Sequence, residues 1–186
     1  MSKSAIHPSA CACCTDLLRG QFSRRGFIQA TALGAAAVTL APYSAFAATG
    51  NYEAMVLSCI DPRTQEGVRR AMLRRRLIGK YSQVILAGGA IGVVAPAFKE
   101  WHKTFWDNLD ASVQLHSIKK VVVINHRDCG AAKIAYGADK LKSRDDETAI
   151  HRASFAEFRK QCKERHPKLA VETGLISLQG KVETFA

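Results

Sequence analysis

The sequence predicts an α/β domain with a parallel β-sheet core flanked by helices, and three observations lead there. Short apolar runs rich in β-branched residues occur at 54–58, 83–87 and 119–125, each with the length of a buried strand. Helical periodicity fills the segments between them, and strands alternating with helices make a parallel sheet. Two of the runs also end in reactive side chains. Val56-Leu57-Ser58 leads into Cys59, Asp61 and Arg63, and Val121-Val122-Val123-Ile124 leads towards His126 and Cys129. Ligands of open α/β sheets collect beyond the carboxyl ends of the strands, so both sets are expected at one edge.

Length and composition set the frame. The chain has 186 residues, 47% hydrophobic and 23% charged, which suits one globular domain after a leader. Its formal charge is +11; residues 1–47 contribute Lys3, Arg19, Arg24 and Arg25 against Asp16, leaving the remainder basic as well. That excess attracts small anions or acidic surfaces without choosing among them.

Residues 1–47 read as a targeting segment, and 48–186 as the folded domain. Ser23-Arg24-Arg25-Gly26-Phe27-Ile28 resembles the twin-arginine export signal, an alanine-rich run follows from Ala30 to Ala41, and Ala45-Phe46-Ala47 offers the small residues of a cleavage site. The expectation is transport to the periplasm, already folded, by the twin-arginine machinery. Cys11, Cys13 and Cys14 form a tract that can bind metal or be acylated, but cleavage before Ala48 removes them.

Within the domain, Ala54–Ser58 is the first strand. Thr64 is expected to cap a helix reaching Ile78, with Glu66 in its first turn and Val68, Met72 and Leu73 facing inward. Arg69, Arg70, Arg74, Arg75 and Arg76 give it a basic face. No aromatic residues interleave these arginines, so a solvated face is preferred to a nucleic-acid platform. Gln83–Ala87 is the second strand, closing on Gly88-Gly89-Ala90-Ile91-Gly92, whose glycines let the backbone approach a ligand or make a tight turn and which matches neither nucleotide fingerprint. Residues 96–116 form a long helix with Phe98, Trp101, Phe105, Leu109, Val113 and His116 as a core or subunit-interface stripe. His102 and His116 read as helix-face residues, since no second ligand lies at i+4. Lys119–Asn125 is the third strand, and Gly130-Ala131-Ala132 opens a short helix whose positive end favours a thiolate at Cys129. Residues 145–165 are a charged helix. Val171–Phe185 is a strand, a turn at Gln179-Gly180 and a return strand.

Two thiols and one imidazole at the strand ends suit zinc with a vacant fourth position, the catalytic form of such a site. Water there has a pKa near 7 and supplies hydroxide at neutral pH. Arg63 can clamp Asp61 through a two-point hydrogen bond, leaving Asp61 to accept the water's proton or, once released, to close the site as a fourth ligand. Cys162, in the charged helix, is expected to be a surface or part-buried thiol rather than the fourth ligand. A Cys59–Cys129 disulfide in an oxidising compartment accounts for the cysteines but not for Asp61, Arg63 and His126.

The motif C-x-D-x-R over Cys59, Asp61 and Arg63, followed by H-x-x-C-G-A from His126, resembles the β-class carbonic anhydrases over roughly residues 54–186. The resemblance implies that family's parallel α/β fold, one Zn²⁺ on Cys59, His126 and Cys129, and an Asp61–Arg63 catalytic pair. It further implies CO₂ and bicarbonate as substrates and a homodimer or multiple of dimers; no nucleic-acid partner is expected, from the arginine face described above. Three positions depart from the pattern. Pro62 stands where the family usually has Ser, Ile85-Leu86-Ala87-Gly88 replaces the common Arg-Asn-Ala-Gly, and Arg127 sets a bulky charge beside His126 where it alters access. Relatives on this fold hydrolyse carbon disulfide or carbonyl sulfide, so those substrates, and a catalytically silent zinc protein, are the alternatives. A basic binding module is the remaining reading.

Overall fold

A computed structural model describes Gly50 and residues 52–185. The export signal, its cleavage site and Cys11, Cys13 and Cys14 lie outside the described residues. β1 (Ala54–Ser58), β2 (Tyr81–Ile85), β3 (Lys120–His126), β4 (Ala170–Ile176) and β5 (Val182–Phe185) form one sheet in the order β2-β1-β3-β4-β5. The first four in that order run parallel, and β5 turns back antiparallel on β4. Helices α1 (Pro62–Arg74), α2 (Ala90–Val94), α3 (Lys99–His116), α4 (Gly130–Tyr136) and α5 (Arg144–Arg165) connect them, with 3₁₀ turns at Pro96–Phe98 and Ala138–Leu141. This is the expected α/β architecture.

Alternation along β1 and β3 explains why both strands are apolar throughout. Met55, Leu57, Val121 and Val123 face one layer, where α3 and α5 bring Phe105, Trp106, Leu109, Phe155 and Phe158. Ala54, Val56, Val122 and Ile124 face the other, against Val68, Ala71 and Met72 of α1. Phe158 lies 5.5 Å from the rings of both Phe105 and Trp106, so α5 locks onto α3 through aromatic contact. β3 lies between β1 and β4, with Ser58 beside Ile124 and His126 beside Ile176. Its end is therefore supported on both sides.

Several boundaries differ from expectation for identifiable reasons. α1 starts at Pro62 because Asp61, not Thr64, is the N-cap, with its carboxylate accepting from Arg63 N–H at 2.9 Å and proline at the first helical position. Glu66 then falls beyond the first turn and pairs with Arg69 and Arg70 at 2.8 Å each. The helix stops at Arg74 rather than Ile78, just before Arg76 adopts the left-handed φ of 57°. Leu73 is 54% exposed, and Ala71 takes the inward place expected of it. β2 sits two residues earlier than its apolar run, because as an edge strand it buries little and Leu86-Ala87 are spent on the loop leaving the sheet. The glycine-rich stretch is a turn only at Gly88-Gly89, beyond which Ala90–Val94 is a short buried helix.

In the long-helix stripe Trp106 is buried while Trp101 is 38% exposed. Cys162 is wholly buried beside Phe105 and Phe158, and that burial pushes its thiol up to about 11. It is a core residue of the α3–α5 layer, not a surface thiol. Among the described residues no helix is long and apolar enough to cross a membrane.

Candidate metal centre

Cys59 follows β1, His126 is the last residue of β3, and Cys129 is the N-cap of α4. A sharp reversal at Asp128, with φ of 57°, carries the chain from His126 back to Cys129. The two Sγ atoms and one imidazole nitrogen all lie within 4.8 Å of one another, and all three residues are buried. Asp61 is not a member of that group. Around it, Ile91, Ala95, Phe98, Ala131 and Ala132 form an apolar wall, with Ala87 at its margin.

Hydrogen bonding orients the donors. His126 Nδ1 lies 2.8 Å from the Arg127 carbonyl oxygen, which can only accept, so the ring proton is on Nδ1 and the Nε2 lone pair is free. Nε2 is buried with no hydrogen-bond partner. Gly88 N–H donates to Cys59 Sγ at 3.1 Å, a neighbour that sequence reading did not assign. The neighbouring Cys129 thiol first, and then the closeness of His126 and the N–H groups of Gly88 and Asp61, hold the Cys59 thiol well below the usual range against the effect of burial. Cys129 moves the opposite way, through the same contact with Cys59 and then burial, despite the N–H groups of Ala131 and Ala132. Burial presses His126 down, but the nearby Cys59 sulfur outweighs it, and the imidazole rises. A cation bound between the two neighbouring thiols would favour the deprotonated form of both. A buried lone pair, two thiols and an oriented imidazole fit zinc in number and kind.

Asp61 and Arg63 are bound together as expected. Arg63 Nε donates to Asp61 Oδ1 at 3.0 Å and Nη2 to Oδ2 at 2.6 Å, while Nη1 reaches Asp128 Oδ2 at 3.0 Å. The Asp61 carboxylate stands 3.9 Å from His126 Nε2. The Arg63 guanidinium, and then its backbone N–H, hold Asp61 down at about 2. Since that lies below the unfolded value of 3.8, the stability it contributes is complete above the unfolded value and is lost as pH falls through about 2. Arg63→Ala should remove that contribution. Urea midpoints of wild type and variant should therefore differ at pH 5 and converge by about pH 2.

Arg127 does not guard the site. Its guanidinium is turned towards α5 and β5, bonding Glu147 at 3.1 Å, Thr148 at 2.7 Å and Glu183 at 3.1 Å, and it is 8% exposed. His102 Nε2 meets the Ala95 carbonyl at 3.0 Å and His116 packs on Tyr52, so both are helix-face residues. The basic face of α1 is partly neutralised, with Arg75 joined to Glu172 at 2.6 Å. A cavity of about 240 Å³ lies between Arg63, Arg70 and Arg74 and the turn at Ser177–Gly180, and it includes none of Cys59, His126 and Cys129. Cys59, Cys129 and Cys162 are free thiols, so the two site cysteines are not paired with each other.

Residues 49–159 match the family described as "Putative carbonic anhydrase". An uncharacterized protein of Rickettsia conorii is 34% identical over 129 residues, covering 69% of this chain and 69% of that protein. Among solved structures, the β-carbonic anhydrase CafA of Aspergillus fumigatus superposes with a TM-score of 0.51 at 15% identity, covering 87% of each chain. The β-carbonic anhydrase CcaA gives 0.54 at 12% identity over 86% of this chain and 95% of its own. At such identities the likeness is one of fold.

Proposed function

The chain belongs to this carbonic anhydrase-like family, and from that premise we propose that it catalyses the zinc-dependent, reversible hydration of CO₂ to bicarbonate and a proton. The observation that carries the reading is the convergence of Cys59, His126 and Cys129 with an unpartnered, buried Nε2. These three residues would hold one zinc ion per chain. Bound zinc supplies Lewis acidity, lowering the pKa of water towards neutrality.

The chain's own side chains do the rest. Asp61, ionised because Arg63 holds it, offers an Oδ2 lone pair beside His126 Nε2; it orients the attacking water and accepts its proton. Arg63 is a positioning residue, itself steadied by Asp128. The wall of Ile91, Ala95, Phe98 and Ala131 excludes bulk water and suits a small, uncharged substrate. Two features support an open site over a closed, silent one: Asp61 stands outside the ligand trio and is clamped by Arg63 through both carboxylate oxygens.

The same apolar wall admits carbon disulfide or carbonyl sulfide, the alternative substrates. Supplying the zinc-loaded protein with CO₂ and, separately, with carbonyl sulfide decides between them. The expected result is CO₂ hydration at least tenfold faster than sulfide release, about 1.4 kcal/mol in barrier; the reverse order would favour the carbon–sulfur reading. For assembly, Ile85 on edge strand β2 and Trp101 on α3 are exposed at 48% and 38%, which supports a dimer or multiple of dimers. The arginine pair of residues 23–28 supports twin-arginine export to the periplasm.

A further inference from the structure

Behind the trio lies a buried polar chain that the reaction does not use. Asn125, immediately before His126, is wholly buried at the end of β3. Its Oδ1 accepts from Ala90 N–H at 2.9 Å, and its Nδ2 lies 3.0 Å from His151 Nδ1 on α5 and 3.4 Å from Ser154 Oγ. These bonds admit one arrangement. Ala90 N–H can only donate, so the amide oxygen faces it; the NH₂ then faces His151, whose Nδ1 must accept and whose proton must be on Nε2. His151 is wholly buried and held neutral, its imidazole lowered to about 3 chiefly by that burial. The loop that Asn125 holds is the one that touches the metal centre. Gly89 passes so close that a side chain there would meet Asn125 Oδ1 at 2.6 Å, and its φ is 57°. One residue earlier, Gly88 N–H bonds Cys59 Sγ.

We propose that His151 and Asn125 are positioning residues of the metal centre, a strut from α5 that fixes the Gly88–Ala90 loop and so aims the Gly88 N–H at the Cys59 sulfur. The proposal rests on the reading that Cys59, His126 and Cys129 hold zinc, and it assigns to α5 a part in that site. An apolar side chain in place of His151 would fill the same space at lower desolvation cost, but it would leave the Asn125 NH₂ without its acceptor and free the amide to turn. Partners one layer out from a metal commonly change its affinity by 10- to 100-fold.

The test compares His151→Leu, His151→Gln and Asn125→Ala with wild type in the zinc-loaded full chain. Two quantities are read: hydrogen exchange of the Gly88 amide relative to β1 and β3 amides, and the rate of zinc release to a coloured chelator. His151→Leu and Asn125→Ala should each raise Gly88 exchange and zinc release by about tenfold with the strand amides unchanged. His151→Gln, whose Oε1 can accept from Asn125, should recover most of both. Gly88 exchange and zinc release at wild-type rates in either folded variant would overturn the proposal, as would a rise in Gly88 exchange shared equally by the strand amides. Should wild type bind no zinc, the function reading fails, and Gly88 exchange in the zinc-free proteins still decides the strut.

Discussion

Cys59→Ser should abolish stoichiometric zinc binding, weakening affinity by more than about 100-fold, the upper end of what outer-layer partners alone command. Serine keeps the size of the side chain but offers a hydroxyl that resists deprotonation where the thiol does not. Cys59 is also the sulfur that accepts the Gly88 N–H at 3.1 Å, and its thiol is held below the usual range. Cys162→Ser is the control. Cys162 packs with Phe105 and Phe158, away from the trio, so its replacement should leave zinc content unchanged while lowering stability by the cost of a buried hydroxyl, about 1–3 kcal/mol. Metal analysis of the purified proteins and urea denaturation read the two effects separately.

Asp61→Asn should lower the rate of CO₂ hydration by about 10²–10⁴-fold while leaving zinc bound, because positioned proton acceptors contribute on that scale. The amide has nearly the shape of the carboxylate but cannot take up a proton under these conditions. Arg63 would keep Asp128 as a partner, so the end of α1 should hold its place. The loss should fall on kcat/KM, and zinc content should match wild type. An Asp61→Asn variant as fast as wild type, with zinc intact, would remove Asp61 from the reaction.

The fold was readable because β1 and β3 are buried on both faces and must be apolar at nearly every position. β2 was placed two residues late because an edge strand needs less apolar sequence than the loop after it. The proximity of Cys59, His126 and Cys129 followed from strand ends at one sheet edge, and the Asp61–Arg63 contact from their spacing at a helix start. Arg127 could not be placed from sequence, since its direction depends on Glu147 and Glu183, 20 and 56 residues away. His151 gave no signal at all: one histidine in a charged helix looks solvated until α5 is packed on the sheet. Asn125 did carry a hint, as a lone amide at the end of an apolar run has to find a buried partner.

The most direct test is stopped-flow CO₂ hydration by the zinc-loaded protein from about pH 6.5 to 9, with metal content measured on the same sample. One zinc per chain and a rate that rises with pH through neutrality is the predicted result. One zinc per chain with no hydration at any pH would contradict it.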